Sequence, residues 1–277
     1  MISVAELGRA VYDGELRVYY QPRFSISRGD AKEATKPPGT VEALLRWDGS
    51  SQIDQVIWKL EQHGMIREVT LFVITTACTH IRHLKSTVGC SPKVAINVSP
   101  VLFSDPWFIR EARKIIEHHD ISPELIEFEI TESRLAHDIK TVCSTACSLR
   151  DDGFGIALDD FGTGFSGLQY LDMIPVTAIK IDRHFVSGLG ERPTCNVIVA
   201  NVARLALATG LTAVAEGTET QEHMNIVRDM GYDEVQGFLM AKPMPLSELI
   251  VFLMQFVHDH PVQENVIPLH SRLIASC

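Results

Sequence analysis

The sequence predicts an α/β fold in which eight strands close into a barrel and the first strand runs antiparallel. Its 277 residues match the length of a single (β/α)8 barrel. Eight short apolar segments occur along the chain, and the last six alternate with helical stretches, which favours a parallel sheet. No helical pattern separates the first two segments, so we expect these two strands to form a hairpin.

Each element follows from a local pattern. The spacing of Ser3 and Glu6 is that of a capping box, which opens a short helix. Residues 22–39 are polar, show no helical period and contain a Pro-Pro-Gly break, so we predict a loop there. The eight strands are predicted at residues 16–21, 41–47, 94–98, 126–130, 155–160, 178–182, 212–216 and 234–238.

The pattern contains no interdomain linker. We therefore expect one barrel domain over residues 1–255 and a C-terminal extension over residues 256–277, which contains Pro261 and Pro268. The N-terminus lacks the basic and apolar segments of a signal peptide, and the apolar run at 249–257 is too short to cross a bilayer. These features predict a cytoplasmic protein without membrane insertion.

The amino-acid composition excludes some classes of function. Hydrophobic residues make up 45% of the chain and charged residues 22%, which is enough apolar material for a large core. The net charge of -10 argues against a protein that binds nucleic-acid polymers, because such proteins need a basic face. The six cysteines contain no CxxC pair, and we expect buried, reduced thiols.

Polar side chains recur at or near the carboxyl ends of the predicted strands. Strand residues of a barrel point into the lumen or onto the helix layer, and neither side is wet away from the ends. Burying a carboxylate is costly unless it is paired or bound to a metal. We therefore expect convergence at one end of the barrel, rather than separate exposure between helices, for Glu42, Arg46, Asn97, Glu129, Asp159, Asp160, Lys180, Asp182, Glu216 and Gln236.

This set of side chains predicts a metal site. Carboxylate and amide oxygens are hard ligands, which suit Mg²⁺ or Mn²⁺ better than zinc or copper. The adjacent Asp159 and Asp160 suit two metals, with one carboxylate able to bridge. Two metals roughly 3.5–4 Å apart can clamp the attacking and leaving oxygens of a phosphodiester.

A glycine-rich motif offers a rival prediction. Gly162 to Gly167 follow a predicted strand with the GxGxxG spacing of a dinucleotide site, and Asp182 lies twenty residues past Gly162. A pyrophosphate at that strand end would be repelled by Asp159 and Asp160, and the carboxylates on the other strands would have no role. We interpret the glycines instead as a loop that passes close to the metals and the substrate.

Eight motifs follow one another in a fixed order: Tyr20-Gln21-Pro22, Glu42-Ala43-Leu44-Leu45-Arg46-Trp47, Asn97 to Pro100, Glu129 to Ser133, Asp159 to Gly164, Lys180 to Arg183, Ala215 to Thr220, and Gln236 to Phe238. In content and order they resemble the EAL domain family over about residues 16–250. The resemblance implies a modified TIM (β/α)8 barrel with an antiparallel first strand. It also implies hydrolysis of one phosphodiester bond of cyclic di-GMP to linear pGpG, in bacterial signalling that governs biofilm formation and motility.

The resemblance further implies a ligand set for two Mg²⁺ or Mn²⁺ ions. Glu42, Asn97, Glu129 and Asp159 would bind the first ion, and Asp159 would bridge to a second ion that Asp160 also binds. None of the departures from the family pattern touches these positions. The departures are a long loop at 23–40 and a few substitutions near the site, which leave substrate fit and rate open.

Other roles are implied in the same way. Lys180 would hold the attacking water and stabilise developing negative charge, and Glu216 would be the general base or a ligand of metal-bound water. Arg46 would contact a substrate phosphate, while Asp182 is left open between a ligand and a supporting residue. Substrate-binding positions are thus Gln21, Arg46, Asp182 and Gln236, and loop-supporting positions are Glu132, Gly162 and Gly164.

Two other functions stay open. A degenerate EAL domain would bind cyclic di-GMP and signal to a partner without catalysis, but such proteins lose metal ligands, and here they are all present. An interaction protein would use the barrel surface and ignore the nucleotide. The resemblance also implies a homodimer.

Overall fold

The computed structural model describes residues 4–26, 37–47, 52–132, 138–164 and 167–259. Eight strands close into a barrel, and β1 pairs antiparallel with both β2 and β8, whereas β2 to β8 are parallel in sequence order. The predicted fold, including the antiparallel first strand, is therefore confirmed. The strands are β1 Leu16–Ser25, β2 Thr40–Trp47, β3 Lys93–Asn97, β4 Ile126–Thr131, β5 Gly155–Phe161, β6 Ala178–Ile181, β7 Thr212–Glu216 and β8 Glu234–Gln236.

Helices cover the outside of the barrel. Several begin at a side-chain cap, such as Asp105 and Asp138, and several end at a left-handed glycine, such as Gly89 and Gly210. Within the described ranges, no helix has the length and apolar character needed to cross a bilayer. The helices are α1 Val4–Tyr12, α2 Ile53–Gln62, α3 Ile66–Val88, α4 Pro100–Phe103, α5 Pro106–His118, α6 Ile139–Asp151, α7 Gly167–Met173, α8 Arg183–Val186, α9 Pro193–Thr209, α10 Gln221–Met230 and α11 Leu246–Asp259.

The apolar core lies between the strands and the helices, whereas the lumen is polar. In β6, Ile179 and Ile181 belong to the apolar core, while Lys180 between them is fully buried among carboxylates. Successive strand residues point to opposite faces, so each strand can serve both regions. This alternation explains how a barrel with a large apolar core can also bury many charged groups.

Several element boundaries differ from the predictions. β1 continues to Ser25 instead of ending at residue 21, because Pro22 and Arg23 still pair with β2 and Phe24 pairs with β8. β6 and β8 end earlier than predicted, and Asp182 instead caps α8. A short strand, β9 at Met244–Pro245, pairs with β1 and was not predicted.

The two ends of the chain are described only in part. The helix α11 runs through residues 255 and 256, across the expected domain boundary, and the remainder of the expected extension lies outside the described residues. Ser3 of the predicted capping box also lies outside them. The expectation of buried thiols is correct for Cys78 and Cys195 but wrong for Cys147, which is exposed.

Candidate active site

The carboxyl ends of the parallel strands gather polar side chains at one end of the lumen, which we call the mouth. Register places Asn97 beside Glu129 on neighbouring strands, and Glu216 beside Gln236. Across the antiparallel pair, Gln21 lies directly opposite Glu42. The barrel therefore brings together residues that are up to 215 positions apart in the sequence, as in the hydrogen bond from Gln236 to Gln21.

Lys180 is the centre of the mouth. Its side chain is fully buried, and its Nζ lies 2.7 Å from Oε1 of Glu216, 2.8 Å from Oε2 of Glu129 and 3.2 Å from Oδ1 of Asp159. Oε2 of Glu42 is 3.6 Å away. One ammonium group therefore faces four carboxylates from four different strands.

A second set of contacts orients Glu42. Its Oε1 accepts a hydrogen bond of 2.7 Å from Nδ2 of Asn97, and its Oε2 accepts one of 2.6 Å from Nε2 of Gln236. The same Gln236 nitrogen donates to Gln21, whose own amide donates to the carbonyl of Ala241. These amides fix both oxygens of Glu42, so the carboxylate has one defined orientation.

The end of β5 is strained. Asp160 has a φ of 53°, in the left-handed region that residues other than glycine rarely adopt, and its backbone N–H donates to Oδ1 of Asp159 at 2.9 Å. Strain of this kind persists where the surrounding structure imposes it, and it is concentrated at functional sites. Here it turns two successive carboxylates towards the same end of the barrel.

The donor set at the mouth fits a divalent cation. One oxygen from each of Asp159, Asp160 and Glu216 lies within 4.8 Å of the others. Oε1 of Gln236 is buried and makes no hydrogen bond within the part of the chain that the structure describes. Clustered carboxylates beside an unsatisfied amide oxygen are the ligands that Mg²⁺ and Mn²⁺ accept.

The electrostatics show that negative charge is in excess. Burial, together with the charges of Asp159 and Glu42, raises the pKa of Glu216 to about 8, although Lys180 opposes the shift. Burial and the charges of Asp159 and Asp182 raise the pKa of Asp160 to about 7. For Lys180 burial acts to lower the pKa, but the surrounding carboxylates hold it well above its usual value. Lys180 is therefore charged, but its single positive charge cannot balance the several carboxylates around it.

A loop after β5 rests on Glu132. The Oε2 atom of this fully buried glutamate accepts a hydrogen bond of 2.8 Å from the backbone N–H of Gly162. A Cβ added at Gly164 would collide with the same carboxylate. One added at Gly167 would collide with the ring of Phe161 and lie tightly against Glu132, so neither position leaves room for a side chain. Residues 165 and 166 lie outside the described residues.

Two predicted substrate contacts lie at the edge of this cluster. Arg46 is half-buried, donates to the carbonyl of Leu45 at 2.8 Å and lies over the ring of Tyr19. Among the described residues, no hydrogen bond or ion pair joins it to the carboxylates. The Oδ1 atom of Asp182 caps α8 by accepting from the N–H of His184, and its charge acts on Asp160.

Sequence reasoning missed a polar cluster deeper in the lumen, which we call the base. It consists of Arg23, Glu127 and Glu234. Each of these residues lies two positions before or after a predicted site residue on the same strand, and therefore on the same face. Strict alternation applied to Glu129 and Gln236 would have predicted Glu127 and Glu234, whereas Arg23 lies beyond the predicted end of the first strand.

Comparison with known proteins identifies the family. The model of the EAL domain matches residues 4–243. The cyclic di-GMP phosphodiesterase NbdA of Pseudomonas aeruginosa is 30% identical over 92% of this chain, and the bifunctional diguanylate cyclase/cyclic di-GMP phosphodiesterase MucR of the same organism is 30% identical over 89%. These matches cover 32% and 35% of the relatives, so the chain spans about a third of their length.

A solved structure agrees with both the fold and the family. The structure described as the PaMucR phosphodiesterase in complex with c-di-GMP superposes with a TM-score of 0.81 at 30% identity. The match covers 89% of this chain and 98% of that chain. From the extent of the family match and the barrel with its antiparallel first strand, we conclude that the chain belongs to the EAL domain family.

Proposed function

We propose that this chain hydrolyses one phosphodiester bond of cyclic di-GMP to linear pGpG with the help of two Mg²⁺ or Mn²⁺ ions. The observation that carries the proposal is the excess of carboxylates around one buried lysine at the mouth. The names of the relatives NbdA and MucR give the reaction and the substrate by analogy. The described complex of a similar barrel with c-di-GMP supports the same ligand.

The residues at the mouth would hold the two ions. Glu42, Asn97, Glu129 and Asp159 would bind the first ion, and Asp159 and Asp160 would bind the second. Bound divalent cations supply the positive charge and the Lewis acidity that phosphodiester hydrolysis requires. Four of these five residues are carboxylates within the same buried cluster, and Nδ2 of Asn97 contacts Glu42, which leaves its amide oxygen available.

The remaining polar groups would transfer the proton, stabilise developing charge and bind the substrate. Burial raises the pKa of Glu216 to about 8 in the chain without metal, and this pKa would be lower with cations bound, so that the carboxylate could accept a proton near neutral pH as a general base. Lys180 carries a fixed positive charge 2.7 Å from it and would stabilise charge that develops on the phosphate. Gln21 and Gln236 would orient substrate or water, and Arg46 and Asp182 would contact the nucleotide at the edge.

Incubation of the purified chain with cyclic di-GMP and Mn²⁺ tests the proposal. We expect linear pGpG in the chromatogram, and we expect its formation to stop when EDTA removes the metal. Tight binding of cyclic di-GMP by calorimetry without any product would contradict catalysis and favour a receptor. Absence of both product and a ligand-induced rise in the unfolding midpoint would favour a surface interaction protein.

Two further proposals concern the assembly and the location of the protein. We propose that the chain forms a homodimer in solution, which analytical ultracentrifugation tests by its sedimentation mass. We also propose a cytoplasmic location, where the second messenger would be available, and fractionation of cells that produce the tagged protein tests this.

A further inference from the structure

We propose that Arg23 is a positioning residue that holds Glu129 in place from the base of the barrel. The proposal rests on the metal-binding role proposed above for Glu129. It goes beyond that role because Arg23 does not belong to the mouth. Its guanidinium contacts one oxygen of Glu129 and Lys180 contacts the other, and among the described residues Glu129 is the carboxylate of the mouth with which Arg23 forms an ion pair.

First, the two oxygens of Glu129 contact two different basic groups. Its Oε2 atom pairs with Nζ of Lys180 at 2.8 Å, and its Oε1 atom lies 3.4 Å from Nη1 of Arg23. Both side chains are buried, with the Glu129 side chain at 0% and the Arg23 side chain at 2% exposure. Among the described residues, Arg23 is the only basic group in contact with Oε1. One oxygen is therefore fixed from the mouth and the other from the base.

Second, the other residues of the base hold the guanidinium of Arg23 in place. Nη2 of Arg23 donates to Oε1 of Glu127 at 2.7 Å, and Nε forms an ion pair with Oε2 of Glu234 at 2.7 Å. A guanidinium is planar, so two of its nitrogens held by carboxylates determine where the third points. That third nitrogen points to Glu129. Glu127 and Glu234 thus orient Arg23, and Arg23 in turn orients Glu129.

Partners of this kind matter to metal sites. Groups that contact a ligating side chain, but not the metal, fix its orientation, and their loss typically lowers metal affinity 10–100-fold. If Arg23 acted only as a nearby positive charge, its removal would strengthen the binding of a cation. The two roles therefore predict changes of opposite sign in metal affinity.

A pair of charge-balanced double variants tests the proposal. The variant Arg23→Gln/Glu127→Gln removes one positive and one negative charge together with the contact to Glu129. The control Lys93→Gln/Glu127→Gln removes the same charges but keeps Arg23, and the side-chain oxygen that Glu127→Gln retains can still accept the hydrogen bond from Nη2 of Arg23. Lys93 contacts Glu127 at 3.8 Å, and no contact with Glu129 is found among the described residues. The readout is the dissociation constant for Mn²⁺, measured by calorimetry on folded protein without nucleotide, with circular dichroism to establish folding.

We expect Mn²⁺ affinity to fall about tenfold in the Arg23 double variant and to stay within about twofold of the original in the control. Equal or tighter binding in the Arg23 double variant would overturn the proposal. If that variant does not fold, Arg23→Lys replaces it, and affinity unchanged by this substitution would likewise overturn the proposal. Failure of the proposed function itself is distinct, because the unmodified chain would then bind no Mn²⁺.

Discussion

The mouth and the base of the lumen each contain buried carboxylates around a basic side chain, but they differ in charge balance. At the mouth, Lys180 contacts four carboxylates, and Asp160 adds a fifth beside them. At the base, the carboxylates of Glu127 and Glu234 are matched by Arg23 and by the partly exposed Lys93, which lies beside the base and contacts Glu127 at 3.8 Å. The mouth has a large excess of negative charge, whereas the base is balanced.

The pKa values show the consequence of this difference. Burial and the neighbouring carboxylates raise the pKa of Glu129 well above its usual value, and the pKa of Asp160 reaches about 7. At the base the two carboxylates differ: burial acts to raise the pKa of Glu127, but Arg23 holds it below its usual value, whereas burial raises the pKa of Glu234 although Arg23 opposes the shift. The same kinds of residue in the same lumen therefore serve different purposes. The balanced cluster stabilises the fold and supports Glu129 from below, and the unbalanced one has room for further positive charge.

The largest expected effect is a difference in catalytic activity between a variant of the mouth and a variant of the base. Glu42→Gln removes a carboxylate from the mouth that Asn97 and Gln236 hold in place, and we expect turnover of cyclic di-GMP to fall at least about a thousandfold, equivalent to about 4 kcal/mol in the barrier. Glu234→Gln changes a carboxylate of the base and is expected to stay within about tenfold. The measurement is the rate of pGpG formation with Mn²⁺. Comparable losses in both variants would mean that charge balance does not distinguish function from structure.

This contrast also shows what the sequence could predict. The polar residues at strand ends, such as Glu129 and Glu216, were predictable because strand alternation and barrel topology together send them to one end. Their contacts with Lys180 were not predictable, because distances within a barrel depend on the stagger between strands.

Arg23 illustrates a different difficulty. It follows a proline in a polar segment that looks like a loop, and β1 extends through it because pairing with β2 and β8 overrides the local pattern. Asp182 shows the reverse case, since a residue predicted within a strand caps a helix instead. In both cases hydrogen bonds with distant or following segments determine the boundary, and local composition does not contain that information.

A second prediction compares how much the two buried basic side chains, Lys180 and Arg23, contribute to the free energy of unfolding. Lys180→Met and Arg23→Met each leave buried carboxylates without their partner, and we expect each to lower the free energy of unfolding by about 3–5 kcal/mol in EDTA. Addition of Mn²⁺ should restore much of the loss for Lys180→Met, because the carboxylates that lose their partner are the proposed ligands. It should restore less for Arg23→Met, because two of the three carboxylates that lose their partner, Glu127 and Glu234, lie at the base and only Glu129 is a proposed ligand. Denaturant unfolding with and without Mn²⁺ measures this, and equal recovery in both variants would contradict the assignment.

The smallest expected effect is a pH dependence to which the mouth contributes most. In the metal-free protein, Asp160 and Glu216 have pKa values of about 7 and about 8, whereas unfolded carboxyl groups titrate near pH 4. Between these values the folded state binds more protons than the unfolded state, so stability is highest at low pH and is lost as pH rises through 7 to 8. We expect the unfolding midpoint in EDTA to fall by roughly 3–7 °C between pH 7 and 9.

Matched variants locate the source of that slope. Asp160→Asn removes one of the two titrating groups and should flatten the fall in midpoint. Glu127→Gln should lower the midpoint at every pH but leave the slope unchanged, because Arg23 keeps the pKa of Glu127 below its usual value and its charge is constant over this range. A slope that follows Glu127 rather than Asp160 would place the excess negative charge at the base, and the distinction between the two ends of the lumen would have to be reversed.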